Sequence, residues 1–170
     1  MKKYIFAFLF LLCTPMLSLA SEKDSSFSSA YGGVNTISYS GDIQQKSSAY
    51  LGLDVIPKLS DSNFGIGVGA DINWLGSAGK STGNYTMGCH VSLAYSFYET
   101  LGYPVHIKAI SGYGVSRFYD KNYWGFQYGA YIDMPIYKNI GVGGGYKYVN
   151  IGHPLTESYG ATLLYINITL

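Results

Sequence analysis

Apolar residues alternate with small or polar residues in two long runs near the middle of the chain. Residues 64–74 and 85–97 each carry an apolar residue at every second position, opposite rows that contain Gly, Ser, Asp71 and His90. A period of two predicts β-strands, because successive side chains point to opposite faces. The segment 76–84, rich in Gly and Ser, predicts a loop, so the two runs form a hairpin. The two apolar rows are Phe64, Ile66, Val68, Ala70, Ile72 and Trp74, and Tyr85, Met87, Cys89, Val91, Leu93, Tyr95 and Phe97.

Similar alternation along the rest of the chain predicts further strands. They are separated by segments rich in Gly, Pro, Asn, Asp and Ser, which indicate turns. The first strand alternates weakly, and its pattern does not decide which face points outward. The predicted strands are 27–40, 48–56, 64–74, 85–97, 104–116, 124–134, a seventh from Ile140, and an eighth that ends at Leu170.

The composition decides which face of these strands meets which environment. A soluble barrel carries a charged exterior, whereas only 12% of this chain is charged and its polar faces are mostly Gly, Ser and Thr. A membrane barrel presents an apolar band to lipid and encloses a polar interior, and bacterial single-chain barrels have an even strand number. The sequence therefore predicts an all-β fold, an eight-stranded antiparallel up-and-down transmembrane β-barrel. A soluble lipocalin-like carrier would need more surface charge.

The charged residues within strands fall on the faces opposite the apolar rows, as do His90, His106 and Gln127. A charge on a lipid-facing wall costs about 2–4 kcal/mol at mid-depth, which favours placing these side chains inside. We expect the three acids to pair with the two lysines, because an unpaired buried charge is costly. The predicted interior polar network is Asp54, Asp71, His90, Lys108, Asp133 and Lys147.

The N-terminus has the pattern of a secretory signal peptide. Lys2 and Lys3 precede an apolar stretch at 4–12, and small residues at Ser18 and Ala20 predict cleavage after Ala20. The expected organisation is a signal peptide at 1–20 and one barrel domain at 21–170. Removal of the signal peptide leaves Cys89 alone, in an apolar row, where it acts as a small hydrophobic side chain.

These features together resemble the small eight-stranded outer-membrane β-barrels, the group that includes the transmembrane domain of OmpA and the OmpX-type barrels. The resemblance is carried by the signal peptide, the eight strands and the terminal row ending in Leu170. It implies a bacterial outer-membrane location, contact with outer-membrane lipids and lipopolysaccharide, and insertion by the barrel-assembly machinery. The family usually ends on an aromatic residue, so Leu170 departs from its pattern. We expect a monomer, with no nucleic-acid partner because the net charge is only +1.

The expected function is a structural or surface-interaction role, with a polar lumen plugged by side chains. A narrow porin-like channel for small solutes is the alternative, because many inward residues are Gly, Ser or Ala. Large inward groups such as Tyr131 and the paired charges favour the plug.

The predicted loops 41–47, 76–84, 117–122 and 152–157 are expected to face outside, and the turns 57–63, 99–103 and 135–139 are expected to face the periplasm.

The sequence gives little support for a catalytic or metal-binding site. One outer-membrane family of lipid A deacylases has a His-x-Ser-Asn motif followed by a Glu, and Asn150 and Glu157 match it. Lys147 occupies the position of the base and Val149 that of the nucleophile, so the chemistry lacks both groups and no enzyme is predicted. His90, His106 and His153 are spread over different segments, so no metal or other cofactor is predicted. The glycines at 65–69 and 141–145 lie inside strands, where they indicate close packing rather than a phosphate loop.

Overall fold

The computed structural model describes residues 27–40, 46–60, 62–78, 81–100, 103–118, 121–153 and 156–170. The predicted signal peptide at 1–20 and its cleavage site lie outside these residues. The described chain forms one closed barrel in which each strand pairs with its sequence neighbours and the last pairs with the first. The prediction of an eight-stranded antiparallel barrel is confirmed. The strands are β1 (Ser29–Tyr39), β2 (Lys46–Val55), β3 (Phe64–Ala78), β4 (Ser81–Thr100), β5 (Tyr103–Phe118), β6 (Lys121–Tyr137), β7 (Ile140–His153) and β8 (Thr156–Thr169).

The strands extend into several of the predicted loops. β3 and β4 continue to a pair between Ala78 and Ser81, so the prediction of a loop over 76–84 was wrong in extent. The predicted loops at 117–122 and 152–157 are shortened in the same way. The backbone ladder tolerates small polar side chains, and it absorbs the glycine at position 76 through register shifts on either side of it. Composition therefore overestimated the length of these connections.

The outward rows form the apolar wall that the alternation predicted. Phe64, Ile66, Val91 and Leu93 are exposed on β3 and β4, and the last strand exposes its terminal aliphatic row. Val55 and Val105 also belong to outward rows, but both are buried. In β1 the structure supplies the missing assignment: Val34 is 60% exposed, whereas Tyr31, Ile37 and Tyr39 are buried inside.

Aromatic residues gather near both ends of the outward wall. We call the end of the barrel that carries the predicted outer loops the loop end. Towards this end, Tyr113 stacks on Trp124 with ring centroids 6.0 Å apart. Near the opposite, turn end, Phe64 and Tyr95 pack at 4.7 Å. Such residues suit membrane–water interfaces, because their rings are apolar and several carry a polar tip. None of the described residues belongs to a helix long and apolar enough to cross a membrane.

Candidate functional site in the barrel interior

The inward rows carry all six residues of the predicted interior network, one from each strand between β2 and β7. The backbone alternation directs them inward, and every one of them is at most 5% exposed. They lie at neighbouring levels of the interior, and we call them the charged layer. Its members are Asp54, Asp71, His90, Lys108, Asp133 and Lys147.

One half of the charged layer is organised by Lys108. Its Nζ donates a hydrogen bond to Oδ2 of Asp54 at 2.8 Å and lies 2.9 Å from Oδ2 of Asp133. It also donates to the hydroxyl of Ser29 at 3.3 Å, and it lies 4.7 Å from the centre of the Tyr31 ring. One ammonium group thus joins β5 to two carboxylates and to the first strand.

The other half is joined to the first through His90. Its Nε2 lies 2.8 Å from Oδ1 of Asp54, and its Nδ1 lies 3.2 Å from Oδ2 of Asp71 at ion-pair distance. Asp71 in turn accepts a hydrogen bond of 2.5 Å from Nζ of Lys147. A continuous series of contacts therefore runs from Lys147 to Lys108 across the interior.

Asp133 ends this series and carries contacts that the sequence did not reveal. Its Oδ1 accepts hydrogen bonds from the Tyr165 hydroxyl at 2.6 Å and from Nδ2 of Asn167 at 3.0 Å. Nε2 of His106 lies 3.1 Å from Oδ2. The alternation had placed His106 inside, but only the fold could bring β8 beside this carboxylate.

The sequence pattern placed Tyr131 inside but did not identify the other interior tyrosines. The Tyr31 ring lies 5.5 Å from Tyr50 and 5.2 Å from Tyr165, between centroids. The Nζ of Lys147 is 5.8 Å from the centre of the Tyr50 ring. Buried ammonium groups near aromatic faces gain cation–π attraction, so these rings help to compensate for lost hydration. The weak pattern of the first strand concealed Tyr31.

Apolar side chains lie inside the barrel on both sides of the charged layer. At the turn end, Phe27, Ile56 and Ala94 form a small buried cluster, and the Phe27 ring packs 5.1 Å from His106. At the loop end lies a larger group, which we call the loop-end layer. Its members are Ile37, Tyr39, Leu75, Phe118, Val149, Ile151 and Tyr159.

The inward glycines make room for large side chains from neighbouring strands. A methyl group at Gly69 would overlap the Asp54 carboxylate and the His90 ring, and one at Gly88 would overlap the amide of Gln127. The small inward residues had suggested space for a channel. At these positions the space is instead occupied by interior side chains, so the glycines serve packing.

The residues aligned with the deacylase motif do not assemble into a catalytic group. Lys147 is paired with Asp71, and Val149 is buried in the loop-end layer. Asn150 is exposed, and the side chain of Glu157 is not described. Among the described residues, no group of three or more His, Cys, Asp or Glu is arranged to hold a metal ion.

Comparison with known proteins adds structural relatives only. No protein-family model matches the sequence, and no curated protein does. The structure of the Neisserial surface protein NspA superposes with a TM-score of 0.57 at 11% identity, covering 86% of this chain and 99% of NspA. Two structures of Ail from Yersinia pestis give TM-scores of 0.57 and 0.54 at 12% and 13% identity, each covering 85% of this chain and 97% and 95% of Ail. The chain has the fold of the small eight-stranded outer-membrane β-barrels.

Proposed function

We propose that the protein is a non-enzymatic barrel of the bacterial outer membrane, with a closed interior and a structural or surface-interaction role. The observation that carries this proposal is the charged layer, whose six buried side chains extend from β2 to β7. The interior of an eight-stranded barrel is just wide enough for side chains to fill. Ion pairs that cross it, as between Lys108 and Asp54, oppose a continuous aqueous path.

The apolar groups on either side of the charged layer support the same conclusion. An ion that crossed the barrel would have to pass Phe27 and Ile56 at one end and Leu75 and Phe118 at the other, all at most 2% exposed. Apolar constrictions exclude hydrated ions, because the ions would lose water without gaining a partner. The interior is therefore better suited to hold the wall together than to conduct.

The proposed orientation follows from the connections. The loop end faces outside, and the turn end and both termini face the periplasm. Membrane lipids cover the apolar wall, lipopolysaccharide surrounds its outer rim, and the barrel-assembly machinery inserts a monomer. These partners are proposed from the fold and from the exposed outward rows, such as Leu164 and Ile166 on β8.

A surface-interaction role draws support from the structural relatives. One is described as a surface protein, and the other as an attachment invasion locus protein, one of whose structures contains the heparin analogue sucrose octasulfate. Fold alone does not transfer a ligand. We extend to this chain only the coarser idea of contact at the cell surface through the loop end, where Arg117 and Lys121 are exposed.

Conductance of the refolded protein in a planar lipid bilayer tests the closed interior. We expect no steady current, since the charged layer and both apolar groups block the lumen. The matched variant carries Asp71→Ala and Lys147→Ala, which remove one ion pair together and open space at that level. Because the apolar groups at both ends remain in this variant, an increase in its current would identify the charged layer as the main barrier, whereas silence would assign the barrier to the apolar groups. Steady ion-selective steps from the unmodified protein would overturn the proposal in favour of a narrow channel.

A further inference from the structure

His90 is held between two carboxylates that come from different strands. Asp54 on β2 faces its Nε2, and Asp71 on β3 faces its Nδ1. All three side chains are at most 1% exposed, so solvent water cannot donate a hydrogen bond to a carboxylate in place of an absent ring N–H. A neutral imidazole carries one N–H and would direct the lone pair of its other nitrogen at a carboxylate. The imidazolium carries an N–H on both nitrogens and places a positive charge between the two acids, with Asp54 at hydrogen-bond distance and Asp71 at ion-pair distance.

The charges of the layer lead to the same protonation state. Asp54, Asp71 and Asp133 contribute three negative charges, and Lys108 and Lys147 contribute two positive charges. A buried cluster with uncompensated charge is strongly disfavoured, so one more positive charge is needed. His90 is placed to supply it.

The second interior histidine fits this role less well. His106 contacts one carboxylate, that of Asp133, which already receives Lys108, Tyr165 and Asn167. Its side chain is 7% exposed, against 0% for His90. The position between two acids belongs to His90 alone among the described histidines.

We propose that His90 is an imidazolium at neutral pH and acts as a proton-dependent lock on the barrel interior. With its proton, the ring joins the pair of Asp71 and Lys147 to the group around Lys108. Without the proton, no positive charge links the two groups, and the carboxylates of Asp54 and Asp71 face an uncharged ring. The strands packed around it present Asp54 from β2, Asp71 from β3, Lys108 from β5 and Lys147 from β7. β6 contributes Asp133, which faces Lys108, and β1 contributes Tyr31, whose ring lies beside the Lys108 ammonium group.

The sign of the pH dependence follows from linkage. An unfolded chain releases a histidine proton near pH 6.5, in the ordinary range for imidazole, while the folded barrel retains it. The stability that the lock contributes is therefore complete below about pH 6.5 and declines as the pH rises. The inference rests on the closed interior of the proposed function, but conductance and the protonation state of His90 are measured separately, so failure of one can be told from failure of the other.

Nitrogen NMR of protein labelled with ¹⁵N-histidine and refolded in detergent micelles measures the protonation state directly. At pH 7.5, we expect one histidine with both ring nitrogens protonated, and we expect that signal to vanish in His90→Gln. If His90 instead gives the signals of a neutral tautomer at this pH, the proposal is wrong. This measurement on the unmodified protein stands even where a variant does not refold.

Urea unfolding at pH 6 and pH 9 tests the lock itself. We expect the urea midpoint of the unmodified protein to be lower at pH 9 than at pH 6. The midpoint of His90→Gln should lie below that of the unmodified protein at pH 6 and should change less with pH. The control variant His106→Gln should retain the pH dependence. The variant Asp54→Asn with His90→Gln leaves two balanced ion pairs, so its midpoint should exceed that of His90→Gln alone. An unchanged pH dependence in His90→Gln would overturn the lock.

Discussion

The charged layer and the loop-end layer fill the same barrel by different means. In the charged layer each side chain has designated partners, as when Lys108 contacts both Asp54 and Asp133. In the loop-end layer, residues such as Leu75 and Phe118 need only neighbours of matching volume. The first therefore depends on the balance of charge and the second on the packing of shapes. Substitutions that conserve side-chain volume should therefore destabilise the charged layer much more than the loop-end layer.

The largest effect is expected where one substitution leaves two carboxylates without their common cation. Lys108→Met keeps most of the side-chain volume but removes the ammonium group that faces Asp54 and Asp133. We expect it to lower the free energy of unfolding by about 3–5 kcal/mol. Urea unfolding of the refolded protein in lipid vesicles measures this, with Lys121→Met, at an exposed lysine, as the control. A neutral result would mean that water reaches the layer.

In the loop-end layer, shape should matter more than chemical identity. Leu75 is fully buried, and Leu75→Ala should lower the free energy of unfolding by about 2–5 kcal/mol through lost contacts and the cavity left behind. Leu75→Met conserves volume and should cost less than about 1.5 kcal/mol. The same unfolding assay applies. Equal losses from both variants would contradict the idea that this layer tolerates repacking.

The smallest effect is expected when a charged pair is replaced as a unit. The double variant Asp71→Leu with Lys147→Met removes one charge of each sign, so the remaining layer stays balanced when His90 is protonated. We expect its stability to lie within about 1–2 kcal/mol of the original, since a buried ion pair can often be replaced by apolar residues. Each single variant should be much less stable. If the double variant loses as much as the two singles combined, the residues do not act as a pair.

The alternation of the sequence was sufficient to predict the direction of the charged side chains, but not all of their partners. Residues such as Asp71 and His90 had to point inward once their strands' apolar rows faced lipid. Which carboxylate meets which cation depends on the stagger of the strands around the barrel. The contact of Asp54 with His90 joins β2 to β4, which are not adjacent, and no local pattern encodes it.

The outward face of the first strand and the length of the outer connections were not predicted, for different reasons. Tyr31, Ile37 and Tyr39 make the inner face of β1 as apolar as the outer face, so period two carries little contrast there. In the segment 76–84, Gly and Ser predicted a loop because composition reports turn preference. The hydrogen-bond ladder between β3 and β4 continues through much of it regardless of these side chains.

The seam between β1 and β8 has a consequence for how the barrel forms. Ser29 pairs with Thr169, so the ladder that closes the wall joins segments separated by nearly the whole described chain. Contacts between such distant segments form slowly, because the entropy of closing the chain must be lost before the contacts form. Lys108 reaches Ser29 beside this seam, and its ammonium group can obtain that partner only when the circle is nearly complete. Assembly of the interior and closure of the wall should therefore be one late, cooperative event in folding.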